Sequence, residues 1–113
     1  MIQIESPQAI ANLDEILQVK GIDVFFIGPR DLATSMGYFN NPTAPQVQEA
    51  IASIERKVLD AGRVLATVSG SWQQSVEKYN KGYQMLTLMS DGVSLSMMAM
   101  DMMSKFRADF PHN

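Results

Sequence analysis

IDVFFIGPRDLATSMG, residues 22–37, is the stretch whose reading decides the fold. It opens with an apolar run of β-branched and aromatic residues from Ile22 to Ile27, broken only by Asp23, the pattern of a strand buried on both faces. The run breaks at Gly28-Pro29 and delivers a carboxylate, Asp31, just past the carboxyl end of the strand. In parallel α/β sheets ligands bind at that end. Asp31 is therefore read as part of a site, and the rest of the chain is read as its support or its partner.

Working outward, residues 1–5 (MIQIE) alternate, with Ile2 and Ile4 on one face and Gln3 and Glu5 on the other. Ser6-Pro7 has the form of a helix cap followed by proline at the first helical position. Ile10, Leu13, Ile16 and Leu17 then predict a helix over residues 7–17. Beyond the opening stretch, residues 38–45 read as a loop. A helix follows over 45–61 with Val47, Ala50, Ile51, Ile54, Val58 and Leu59 as its buried stripe. Its charges Glu55, Arg56, Lys57 and Asp60 read as a solvated face. Residues 64–68 read as a strand, 72–81 as a helix that stops at Gly82, 84–89 as a strand, and 93–106 as the last helix. Trp72 is expected to pack near a helix start. The methionines at 97, 98, 100, 102 and 103 are expected to fill a core, with an adaptable interface as the alternative.

Strand and helix thus alternate four times, which specifies an α/β chain with a parallel sheet and right-handed crossovers. Four such units with helices on one side form an arc with two open edges and a bare inner face. Eight close into a barrel, so residues 1–113 are expected to form a single half-barrel domain. A flavodoxin-like module, with helices on both faces, is the competing architecture.

Composition narrows the function. The chain has 113 residues, 46% of them hydrophobic and 19% charged, as in an ordinary globular domain. A net charge of −3 argues against a nucleic-acid partner. The absence of cysteine removes disulfides and thiolate metal sites. No apolar run reaches the roughly 18 residues of a membrane span. A soluble, cytoplasmic location and no membrane partner are the corresponding expectations.

Glu5 and Asp31 follow successive strands, neighbours in a parallel sheet. Two carboxylates converging there suit a hard divalent cation such as Mg²⁺ or Mn²⁺. The plainer alternative is that each acid only caps a helix or faces solvent. The backbone amides of Arg30 and Asp31 suit a carboxylate or phosphate, and an ordinary proline turn is the alternative.

QIESPQAIANLDEILQVKGIDVFFIGPRDLATSMG, residues 3–37, resembles the fifth and sixth strand–helix units of the HpcH/HpaI aldolase family. The resemblance extends through NPTAPQVQEAI, GRVLATV and KYNKGYQMLTLMSD to the final helix. A QIE-type strand paired with a GPxDLS-like turn at this separation makes it specific. It implies the C-terminal half of a (βα)8 TIM barrel, of the phosphoenolpyruvate/pyruvate superfamily. It also implies a class II, divalent-metal carbon–carbon lyase that cleaves 4-hydroxy-2-oxo acids to pyruvate and an aldehyde. By the same resemblance Glu5 and Asp31 are the metal ligands, for Mg²⁺, Mn²⁺ or Co²⁺. Gln3 borders the substrate and metal-held water, the amides of Arg30 and Asp31 hold the 2-oxo acid carboxylate, and Val68 lines the aldehyde pocket.

The departures count as well. The family's general-base histidine and its stabilising arginine lie on the other half of the barrel, so no catalytic base is expected here. The chain's one histidine, His112, reads as a solvated end residue. Arg30 stands where the family has a small residue and Ala33 where serine is common. Ser69-Gly70-Ser71-Trp72 replaces a turn that usually contains proline or an acid. Little or no aldolase activity is expected of the chain alone. Its partner is expected to be a second copy or a complementing half-barrel, and the alternative to an enzyme is a non-catalytic fragment that self-associates.

Overall fold

The computed structural model describes residues 1–111, so His112 lies outside the described residues. Four strands form one sheet: β1 (Ile2–Ile4), β2 (Val24–Ile27), β3 (Val64–Val68) and β4 (Met85–Thr87). Their spatial order is β1-β2-β3-β4 and every pair is parallel. Sequential order built from right-handed crossovers places the helices that connect the strands on one face. A flavodoxin-like sheet needs a reversal of order, and none occurs. The chain is a partial barrel of four parallel strand–helix units.

The helices follow from local chemistry. Ser6 caps α1 (Pro7–Ala11) by accepting from the Ala9 amide at 3.2 Å. The helix expected over 7–17 is in fact broken at Asn12 (φ −94°, ψ 5°), and the short α2 (Leu13–Ile16) resumes beyond it. Asparagine is a poor interior helix residue, and beyond it Leu13 and Leu17 are buried in the core. Gly28 caps α3 (Pro29–Ser35), and α4 (Pro45–Asp60) buries Val47, Ile51, Ile54 and Val58. Those four recur at helical spacing, so one continuous stripe meets the sheet. Gly62, at φ +64°, turns the chain out of α4 into β3.

The core lies between helices and sheet, with Ile4, Phe25, Ile27 and Leu65 from the strands meeting Leu32, Val47, Ile54 and Val58. On the opposite face Gln3, Val68, Met85 and Thr87 are exposed. Ile22 and Asp23 fall outside β2, since β3 begins opposite Val24 and leaves them nothing to pair with. β4 stops at Thr87 rather than residue 89, leaving Leu88 and Met89 exposed on an edge.

Two expectations about packing fail in the last third. Trp72, the first residue of α5 (Trp72–Asn80), is 77% exposed. The last helix, α6 (Asp91–Asp109), is longer than expected and buries no residue; Met100 is 72% exposed. The methionines at 97, 98, 100, 102 and 103 therefore fill no core among the described residues, each being at least half exposed. The molecule measures 63 × 28 × 21 Å with a radius of gyration of 17.4 Å, against about 13 Å for a compact chain of this length. The supposed solvated face of α4 also has partners. Lys57 pairs with Asp14 at 2.7 Å, and Glu55 accepts from the Tyr83 hydroxyl at 2.7 Å.

Candidate functional site

Glu5 is the residue after β1, and Asp31 sits in the first turn of α3, directly after β2. Strand alternation buries Ile4 and turns Gln3 and Glu5 together onto the bare face. The Gln3 carboxamide nitrogen donates to Glu5 Oε2 at 2.6 Å and to Asp31 Oδ2 at 3.1 Å. Two carboxylates from neighbouring strand–helix units thus converge on one atom at the carboxyl rim of the sheet. Both acids are also exposed to solvent, as the plainer alternative expects, and the shared Gln3 amide is what that alternative does not require.

Gly28 makes the approach feasible. It lies level with Glu5, its amide donating to the Ile4 carbonyl at 3.4 Å. A Cβ there would overlap the Gln3 amide and press on Asp31 Oδ2. The glycine is thus required for close approach, since its φ of −98° is open to any residue.

The other anticipated residues stand apart. Arg30 is exposed, and the ion pairs among the described residues are Lys57–Asp14 and Lys105–Asp101. Its guanidinium therefore closes on neither acid. The Arg30 and Asp31 amides belong to the first turn of α3, where no preceding turn supplies an acceptor. Val68 ends β3 and is 43% exposed on the bare face, two strands from Glu5.

For a cation the donor set is two carboxylates and a carboxamide, all oxygen-bearing and on one face. No group of three or more His, Asp or Glu side chains that could hold a metal occurs among the described residues. Mg²⁺ and Mn²⁺ are commonly held by one or two protein carboxylates, with water or substrate oxygens completing the shell. The residues present fit such an ion, with Glu5 and Asp31 as the charged donors.

Comparison with known proteins then assigns the chain. The family model described as HpcH/HpaI aldolase/citrate lyase matches residues 1–97. The chain belongs to the HpcH/HpaI aldolase/citrate lyase family. A 2-keto-3-deoxy-L-rhamnonate aldolase of Escherichia coli K12 is 49% identical over 63 residues, 56% of this chain and 24% of that protein. The crystal structure of an HpcH/HpaI aldolase from Desulfitobacterium hafniense DCB-2 superposes with a TM-score of 0.86 at 26% identity, covering 98% of this chain and 43% of that one. A family protein from Burkholderia cenocepacia J2315 superposes with a TM-score of 0.82, also at 26% identity, covering 93% of this chain and 41% of that one. The chain therefore spans less than half the length of these relatives. Family membership places it among aldolases and lyases. No helix among the described residues is long and apolar enough to cross a membrane.

Some polar residues escaped the sequence reading. Tyr83 is buried, and its hydroxyl ties β4's lead-in to α4 through Glu55. Burial, then the bond to Glu55 and that residue's charge, push its phenol far above the ordinary range. The Lys78 amine lies 5.0 Å from the ring centroid, and burial lowers its pKa despite the charge of Glu55. Thr67, hidden inside an apolar strand, donates to the Ile27 carbonyl at 2.9 Å. Only the position of Tyr83 just after a helix-stopping glycine hinted at any of this.

Proposed function

We propose that this chain is part of a divalent-metal aldolase that cleaves 4-hydroxy-2-oxo acids to pyruvate and an aldehyde once the barrel is complete. The convergence of Glu5 and Asp31 on the Gln3 amide at the carboxyl rim carries this reading. Glu5 and Asp31 hold a Mg²⁺, Mn²⁺ or Co²⁺ ion. Gln3, by turning its carboxamide over, offers oxygen where it now offers nitrogen. When bound, the ion supplies Lewis-acid polarisation of the 2-oxo acid. The amides of Arg30 and Asp31 take the substrate carboxylate and fix its orientation over Gly28. Val68 gives the aldehyde end an apolar wall and keeps water from that side. The proton-transferring base comes from the other half of the barrel, so this chain positions substrate and does not itself move the proton.

Mn²⁺ binding, followed by electron paramagnetic resonance, tests the proposal. The chain binds Mn²⁺, with Glu5→Gln and Asp31→Asn each weakening it by more than about 100-fold, above the roughly 10–100-fold cost of outer-shell changes. Unchanged affinity in both variants would refute it. In a pyruvate-release assay with Mn²⁺, the chain alone gives little or no turnover.

A second reading, a non-catalytic half-barrel that self-associates, is favoured by one observation. The exposed residues Trp72, Val76 and Tyr79 of α5 recur at helical spacing and line an apolar groove of about 410 Å³ with Tyr83, Leu86 and Leu88. The bare α6 of a second copy is the proposed occupant. A chain that sediments as a monomer at all concentrations would exclude it.

A further inference from the structure

The bare face carries a second polar position that no part of the preceding assignment uses. Ile4 is level with Ile27, Ile27 with Thr67, and Val68 with Thr87. One residue further along, Glu5, Gly28, Val68 and Thr87 therefore form a single row across the carboxyl rim. Leu86 packs against the helix-side core, so alternation turns Thr87 onto the same face as Gln3 and Glu5. Thr87 is exposed there. The buried hydroxyls of Thr67, Ser69 and Ser75 are all committed to internal bonds. The Thr87 carbonyl is likewise taken, accepting from the Ser69 amide at 2.9 Å, which fixes the residue's backbone. Its exposed side chain has no hydrogen-bond partner among the described residues and is available to a ligand.

The row has a definite chemical sequence. Acids stand at one end, Gly28 leaves bare main chain next to them, Val68 follows as an apolar step, and Thr87 closes it with a hydroxyl. Strands lie about 4.8 Å apart, so Gly28 and Thr87 are separated by roughly two such spacings. A chain of four or five carbons, at about 1.5 Å per bond, bridges that distance when a hydrogen bond of about 2.8 Å completes it. We infer that Thr87 is a specificity residue for a 2-oxo acid of about six carbons, hydrogen-bonding a hydroxyl at its far end while Val68 packs against the middle carbons. This inference rests on the reading of Glu5 and Asp31 as the anchor for the 2-oxo acid head.

The test uses the 113-residue chain loaded with Mn²⁺ and titrated with pyruvate, 2-oxohexanoate and the terminally hydroxylated analogue of 2-oxohexanoate. The native chain prefers the hydroxylated acid over 2-oxohexanoate about fivefold, the equivalent of one hydrogen bond. Thr87→Val removes the preference and leaves pyruvate affinity within about twofold, whereas Thr87→Ser retains the preference. Circular dichroism of the variants confirms that the fold is kept, and Thr87→Ala, which also lacks the hydroxyl and should also lose the preference, carries the test if the valine variant unfolds. A chain that binds pyruvate but is indifferent to the terminal hydroxyl overturns this inference alone, as does a preference that survives in Thr87→Val. A chain that binds Mn²⁺ yet none of the three acids overturns the anchoring reading and this inference with it.

Discussion

α4 and α6 are helices of similar length in one chain, yet α4 buries four residues against the sheet and α6 buries none. Their apolar content does not explain the contrast, since α6 carries Val93, Leu95, five methionines and Phe106. Arrangement does. The apolar residues of α4 fall on one stripe, which a single sheet face can cover. Those of α6 are spread around its circumference, so one surface cannot cover them all. A helix apolar on several sides is suited to a position between bodies, and the described residues supply no second body.

The contrast can be broken in several ways. Ile54→Ala, in the α4 stripe, should cost about 2–5 kcal/mol of stability in urea titration. Met100→Ala in α6 should change it by no more than about 0.5 kcal/mol. Equal losses would show that α6 is packed in solution after all. Met98→Lys with Leu95→Lys should leave monomer stability alone and weaken any self-association at least about tenfold, as read by sedimentation.

Tyr83→Phe sharpens the comparison at its border, where α4 reaches toward β4. Losing the hydroxyl leaves Glu55 half-buried without its donor and should cost about 1–2 kcal/mol. The raised phenol pKa fixes the sign with pH. The native state keeps its proton while the unfolded phenol titrates near its ordinary value of about 10, so stability is intact below that pH and falls above it. The lowered amine of Lys78 acts oppositely, relieving a penalty as pH rises toward about 10.4. A melting profile that falls above pH about 10 in the native chain and flattens in Tyr83→Phe would separate the two. Smallest of all is Lys57→Ala. It removes an exposed ion pair between α4 and α2, and should cost no more than about 1 kcal/mol, less at high salt.

The same contrast explains what was legible in the sequence. β3 was readable to the residue, and α4 nearly so, because one periodic stripe flanked by Gly62 leaves little choice. The geometry of the candidate site was readable where spacing carries it: Gln3 and Glu5 share a strand face, and Asp31 follows Gly28-Pro29. The break at Asn12 was not legible, since Ile10, Leu13 and Leu17 keep helical spacing across it. The fate of Trp72 and the methionines was not legible either, because apolar character says that a residue needs covering and not which chain covers it. Arg30 was flagged as a departure, yet no sequence pattern sets where its side chain rests.

The sequential order of the sheet has one more implication. All four strands run the same way, so the two unpaired borders, along β1 and β4, share a polarity. A hairpin could extend such a sheet by only one matching strand, because its second strand returns in the opposite direction. Whatever lengthens this arc in kind must arrive as further strand–helix crossovers, each wide enough to carry a helix on the outside.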